Sequence, residues 1–166
     1  MANRIGRTPS GFRRRAVPII STMLGSMLTL LPFIAVAPTM LPWGLIVFLA
    51  WRALQRHVWP VWMGVPLGLW DDLLSGSVVG TSMVLWTMIL IGYEILDRQM
   101  IWRDFGQEWG FAAAILALVL LSASLISTII IGPADPLLLM PQIAMSVLIF
   151  PLVTRLCAVL DEWRLR

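Results

Sequence analysis

The residues best suited to chemistry lie in one stretch, Gly64-Val-Pro-Leu-Gly68-Leu-Trp-Asp71-Asp72-Leu-Leu-Ser75-Gly76-Ser-Val-Val-Gly80. Two carboxylates end a glycine-broken apolar run, where a charge is expensive and calls for a purpose. Paired acids can share a proton only when they face each other. Neighbours on a helix point ~100° apart, so Asp71 and Asp72 do not form such a dyad. The spacing points to architecture instead. Asp72 stands three residues before Ser75, where its carboxylate can accept from backbone N–H groups of the Ser75–Ser77 turn. That turn opens the next helix, whose dipole favours an anion. Gly76 and Gly80 would permit the tight turn and a close helix approach. Asp71 is expected to face headgroups or water. Partner contact, and ion or proton coupling, are the alternative roles for the pair.

Little else is reactive. The chain has one histidine, His57, and one cysteine, Cys157. A lone histidine with no cysteine nearby does not make a zinc site, and a lone cysteine forms no internal disulfide. The sequence contains no phosphate-binding loop and no dinucleotide fingerprint, and a Ser/His/Asp set cannot be assembled around His57. The expectation is a protein that is not an enzyme and carries no cofactor or metal.

The elements that must position these residues follow from composition. Of 166 residues, 59% are hydrophobic and 13% charged, with a mean hydropathy of +0.87. Soluble domains carry about 25% charged residues, and disordered chains lack this much apolar surface. The runs are solid rather than alternating, which excludes a membrane barrel. The expected class is an all-α polytopic membrane protein.

Residues 1–15 carry five arginines and read as a cytoplasmic tail ahead of a single domain, 16–166. The uncharged run from Ala16 to Trp51 would reach ~54 Å as one helix, too long for a ~30 Å hydrocarbon core. Pro38 and Pro42 break it, giving helices at about 16–37 and 42–55. Further helices are expected at about 58–74, 80–98, 104–131 and 137–162, with Asp104 and Gln107 resembling a capping box. Six spans put the tail, the second and fourth connections and the C-terminus on one side. Those places hold all 12 basic residues, every one an arginine. Both termini are then cytoplasmic by the positive-inside rule. The net charge of +3 reads as topology rather than nucleic-acid binding.

Surface roles follow from the same frame. Arg13, Arg14 and Arg15 are candidates for lipid headgroups. Trp43 and Trp70 at one boundary, and Trp51, Trp59, Trp102, Trp109 and Trp163 at the other, are expected interfacial anchors. Glu94 and Arg98 stand at i, i+4 and should pair, as should Glu162 and Arg166. The fifth helix carries small residues, including Gly110, Ala113, Ala114, Ala117, Ser124 and Thr128. They serve either internal packing or docking of another membrane helix. Gly64 and Gly68 offer the same choice.

The segment Gly68-Leu69-Trp70-Asp71-Asp72-Leu73-Leu74-Ser75-Gly76-Ser77-Val78-Val79-Gly80 resembles the rod shape-determining MreD family. Asp72 matches the family's aspartate, while Asp71 stands where an aliphatic residue is usual. The likeness extends to length, six-span hydropathy, an arginine-bearing fourth connection and Pro151 in the last span. It implies a non-enzymatic inner-membrane scaffold of the bacterial elongation machinery. Its partner would be an MreC-type protein and, through it, MreB, RodA and a class B penicillin-binding protein. Gly64, Gly68, Asp72, Ser75, Gly76 and Gly80 are the motif or partner-contact candidates. The implied fold is similar to the substrate-binding subunits of energy-coupling-factor vitamin transporters. Such a small-molecule-binding subunit is the alternative function, disfavoured by the scarcity of polar groups in the first, second and sixth spans.

Overall fold

The computed structural model describes residues 11–30, 41–99, 105–130, 132 and 139–165, all its regular structure being helical. Six α-helices follow in order: α1 (Gly11–Met27), α2 (Trp43–Leu54), α3 (Gly64–Ser75), α4 (Thr81–Gln99), α5 (Phe105–Ile130) and α6 (Leu139–Leu165). Short 3-10 turns extend α1 through Leu28–Leu30 and lead into α3 through Val61–Met63. The expected helices are therefore all present; most boundaries move by one to three residues, α3 begins at Gly64 rather than at 58, and the expected end of the first helix at 37 lies outside the described residues. At the start, Gly11 to Arg15 already belong to α1 rather than to a tail. Pro38, Trp102, Arg103, Asp104 and Arg166, with the roles expected of them, lie outside the described residues.

Helices α5 and α6 are long and apolar enough to cross a membrane, over Gly106–Ile130 and Leu139–Arg164. Their apolar side chains point outward: Leu118, Leu121, Leu125 and Ile129 on α5, and Leu148, Leu152, Leu156 and Val159 on α6 are all exposed. In water such faces would be unstable, whereas lipid solvates them. Hydroxyls inside the helices bond back one turn, as Thr22 does to Pro18 O at 2.8 Å and Thr154 to Phe150 O at 2.9 Å. Such a bond keeps the hydroxyl hydrogen from facing an apolar surround.

The core is built around α2, whose Leu45, Ile46, Phe48, Leu49, Ala50 and Trp51 are all buried. Phe48 stacks on Trp59 and Trp86, with ring centroids 5.4 and 4.6 Å apart. Trp51 and Trp59 are thus core residues, not the boundary anchors expected of them. Their N–H groups are satisfied internally, by Ser21 Oγ at 2.7 Å and Phe48 O at 3.2 Å. Among the described residues Trp62, Trp109 and Trp163 are the exposed tryptophans.

Three contacts gather the C-terminal ends of α2, α4 and α6. Arg52 pairs with Asp97, Gln55 donates to both oxygens of Asp161 at 3.0 Å, and Arg164 lies 5.1 Å over the Trp51 ring. At the opposite end, the last turns of α1 and α3 meet the starts of α2 and α4. These four helices therefore alternate in direction, and α6 runs with α2 and α4. Helix α5 departs from a simple hairpin with α6. Trp109 near its start donates to Val147 O at 3.1 Å, in the first third of α6, rather than to the C-terminal end that a simple hairpin would place opposite it.

Candidate functional site

Helix α3 ends because Gly76 adopts a left-handed conformation, φ 66° and ψ 15°, which a glycine enters without a Cβ clash. Gly80 then turns the chain again at φ 101°, and Thr81 N–H bonds Val78 O at 3.0 Å. Five residues, Gly76 to Gly80, suffice to reverse the chain from α3 into α4. Asp72, only 1% exposed, fills the inside of that turn. Its Oδ1 accepts from Ser77 Oγ at 2.8 Å and Ser82 N–H at 2.9 Å. Its Oδ2 accepts from Gly80 N–H at 2.8 Å and Met83 N–H at 3.4 Å. Ser75 supports the set by donating to Ser77 Oγ at 3.0 Å. The expected cap is present, and it is larger than the spacing implied. Asp72 takes the orphan N–H groups at the start of α4 rather than those of the Ser75–Ser77 turn.

The glycines divide into two kinds. A Cβ on Gly76 or Gly80 would meet nothing within 4 Å, so these two serve the turn and not the close approach also expected of them. Close approach belongs to Gly64 and Gly68. A Cβ on Gly68 would stand 2.6 Å from Met83 Cα, and one on Gly64 would stand 2.8 Å from Thr87 Cα. Each step of four back along α3 matches a step of four forward along α4, the register of an antiparallel pair. The Gly64/Gly68 side is therefore closed by α4 and is not open to a partner helix.

Asp71 is half-buried and hydrogen-bonded rather than simply turned to headgroups or water. It accepts from Ser26 Oγ of α1 at 2.7 Å and Ser82 Oγ of α4 at 3.2 Å. Gly44 makes room for this junction, since a Cβ there would stand 2.6 Å from Asp71 Oδ1. Asp71 and Ser82, with Ser75, Ser77, Thr81 and Gln142, line a cavity of about 320 Å³ walled by Leu45, Trp86 and Val119. Neither Gly44 nor the cavity was foreseeable from spacing, because Ser26 and Asp71 are 45 residues apart.

At the other end, Arg52 is buried, pairs with Asp97 and lies 4.9 Å over the Tyr93 ring. Burying a guanidinium demands such a partner. Glu94 and Arg98 pair as expected, at 3.2 Å, both in solvent. Arg164 pairs with Asp161 at 2.6 Å, while the pairing expected between Glu162 and Arg166 lies outside the described residues. Arg13, Arg14 and Arg15 lie in the opening of α1, so they share a helix rather than a tail.

No family model, curated protein or solved structure matches the chain. The site must therefore be read from its own geometry. Among the described residues no cluster of three His, Cys, Asp or Glu side chains could hold a metal ion. The motif residues Gly64, Gly68, Asp72, Ser75, Gly76 and Gly80 are all engaged in making one hairpin, α3–turn–α4.

The face left open is on α5. Gly106, Gly110 and Ala114 recur every four residues and are all exposed. A Cβ on Gly106 or Gly110 would meet nothing within 4 Å. Gly106 extends the small-residue stripe by one turn beyond what the sequence reading included. The signal for it was the i, i+4 spacing from Gly110.

Proposed function

We propose that the chain is a multi-pass membrane scaffold of the MreD type, with six spans and both termini cytoplasmic, acting in the bacterial elongation machinery. It binds a single-span partner of the MreC kind and so helps to position peptidoglycan synthesis, in the company of MreB, RodA and a class B penicillin-binding protein. The observation that carries the scaffold reading is the exposed Gly106-x-x-x-Gly110-x-x-x-Ala114 face of α5. In lipid there is no hydrophobic drive between helices, so small residues that let backbones approach are what allow one to dock. The rigid α3–α4 hairpin supports the same reading, since its motif residues serve the fold and leave binding to another surface. A protein acting this way contributes through preferential contact with one state or position of its partner.

The test is co-purification. Gly110→Leu with Ala114→Leu should abolish capture of an MreC-type partner while the melting temperature of the purified protein stays unchanged. Retained capture by a correctly folded double variant refutes this docking face. A crosslinker at Ala114 that reaches no elongation component refutes the assignment to that machinery.

A second reading is favoured by one observation. The cavity beside Asp71 supplies polar groups that the sequence offered only sparsely, and they come chiefly from α3, α4 and the turn between them, with Gln142 from α6. Such a cavity suits a small-molecule-binding transporter subunit. A thermal-shift screen against vitamins separates the two: stabilisation by one vitamin, lost in Asp71→Ala, supports the transporter reading.

A further inference from the structure

A second cavity, of about 760 Å³, lies where the C-terminal ends of α2 and α4 meet the 55–63 connection. Its volume falls within the range of small-molecule sites, roughly 300–1,000 Å³. We propose that it binds the phosphate group of an anionic membrane lipid, with the lipid's chain lying along Val58, Val61 and Trp62. The inference rests on the membrane reading above but not on any partner.

The charges lining the cavity are three guanidinium groups, Arg52, Arg56 and Arg98, against two carboxylates, Glu94 and Asp97. Among the described lining residues one positive charge is thus in excess. Arg52 is occupied, being buried between Asp97 and the face of Tyr93. Arg98 is held by Glu94 in a solvent-exposed i, i+4 pair, which a stronger anion displaces at little cost. Arg56 is half-buried and makes no ion pair with any described residue. Its planar fork matches two phosphate oxygens, and His57 beside it offers a further ring N–H.

The other wall is apolar. Trp62 is 64% exposed although it stands beside buried Trp59, and Val58, Val61 and Leu90 continue the surface. A water-soluble phosphate would leave that wall uncovered. A lipid uses both halves, with its headgroup on the arginines and its chain on the tryptophan side. Tryptophan and arginine side by side are what a membrane boundary selects, and basic pockets between helices at such a boundary hold anionic headgroups.

The experiment uses the delipidated full-length protein in a neutral detergent, with native mass spectrometry and thermal melting. Probes are phosphatidylglycerol, phosphatidylcholine and inorganic phosphate. Phosphatidylglycerol should bind and raise the melting temperature, whereas the other two should do neither. Arg56→Gln should weaken phosphatidylglycerol binding about tenfold, the loss of one ionic contact. Should Arg56→Gln lower the lipid-free melt, Arg98→Gln, at an exposed position, provides the same comparison. Equal binding of both lipids with no effect of either variant overturns the proposal in favour of an apolar crevice. Stabilisation by inorganic phosphate alone overturns it in favour of a free anion. Release of the protein from membranes by alkaline carbonate would instead refute the membrane reading, a failure distinguishable from loss of lipid selectivity.

Discussion

Replacing Asp72 with asparagine tests whether the carboxylate is a cap or a charge used elsewhere. The sequence alone predicts a mild effect, because an amide oxygen still accepts. The structure predicts otherwise. Both oxygens accept, Oδ1 from Ser77 Oγ and Ser82 N–H, Oδ2 from Gly80 N–H and Met83 N–H. Asparagine has one acceptor, so its amide N–H must point at a backbone N–H whichever way it turns. The less costly rotamer puts the amide toward Ser77, whose hydroxyl can reverse and accept, but Ser82 N–H then faces another donor. The site is 1% exposed, so water does not relieve the conflict. Losing one charge-assisted bond and stranding one buried donor costs about 3 kcal/mol. Asp72→Leu removes the whole cap and should cost on the order of 5 kcal/mol by the same measure. For a chain of this length 1 kcal/mol shifts the melting temperature by about 2–4 °C, so the asparagine variant should melt about 6–12 °C lower in detergent. An asparagine variant that melts with the parent would refute the cap. If that same variant also lost partner capture, the charge would be acting outside the fold.

Three further outcomes follow from the packing. Gly68→Ala places a Cβ against the Met83 backbone and should cost about 1–3 kcal/mol, whereas Gly110→Ala, in open space, should leave the melt unchanged. Asp97→Asn leaves Arg52 buried without its counter-charge and should cost about 3–5 kcal/mol; the double variant Arg52→Met with Asp97→Leu should recover most of it, as a double-mutant cycle in thermal melts would read. Reporter fusions at Gly11 and after Arg166 should both report cytoplasm and a tag near Gly132 the opposite side, and a cytoplasmic signal at Gly132 would refute six spans.

What the sequence disclosed and what it concealed divide by range. The helices and the presence of a cap at Asp72 depend on neighbours within about ten residues and were legible from spacing, although the N–H groups it takes lie further on than the spacing suggested. Asp72 reaches Ser77, Gly80 and Ser82 along one short reversal of the chain. Asp71, its immediate neighbour, was misread because its partner Ser26 arrives from another helix and Gly44 of a third makes the space. The tryptophans show the same limit: a Trp near the end of an apolar run suits a membrane boundary and a protein core equally, and only packing sends Trp51 inward and Trp62 outward. Glycine pairs are ambiguous for a related reason. Gly64/Gly68 and Gly106/Gly110 have identical spacing, yet the first pair is sealed against Met83 and Thr87 and the second meets nothing. In water, burial of apolar residues would help to decide which face is closed. In lipid an outward leucine costs nothing, so periodicity locates a helix without saying which side is occupied. The open face of α5 is therefore information that only the assembled helices contain.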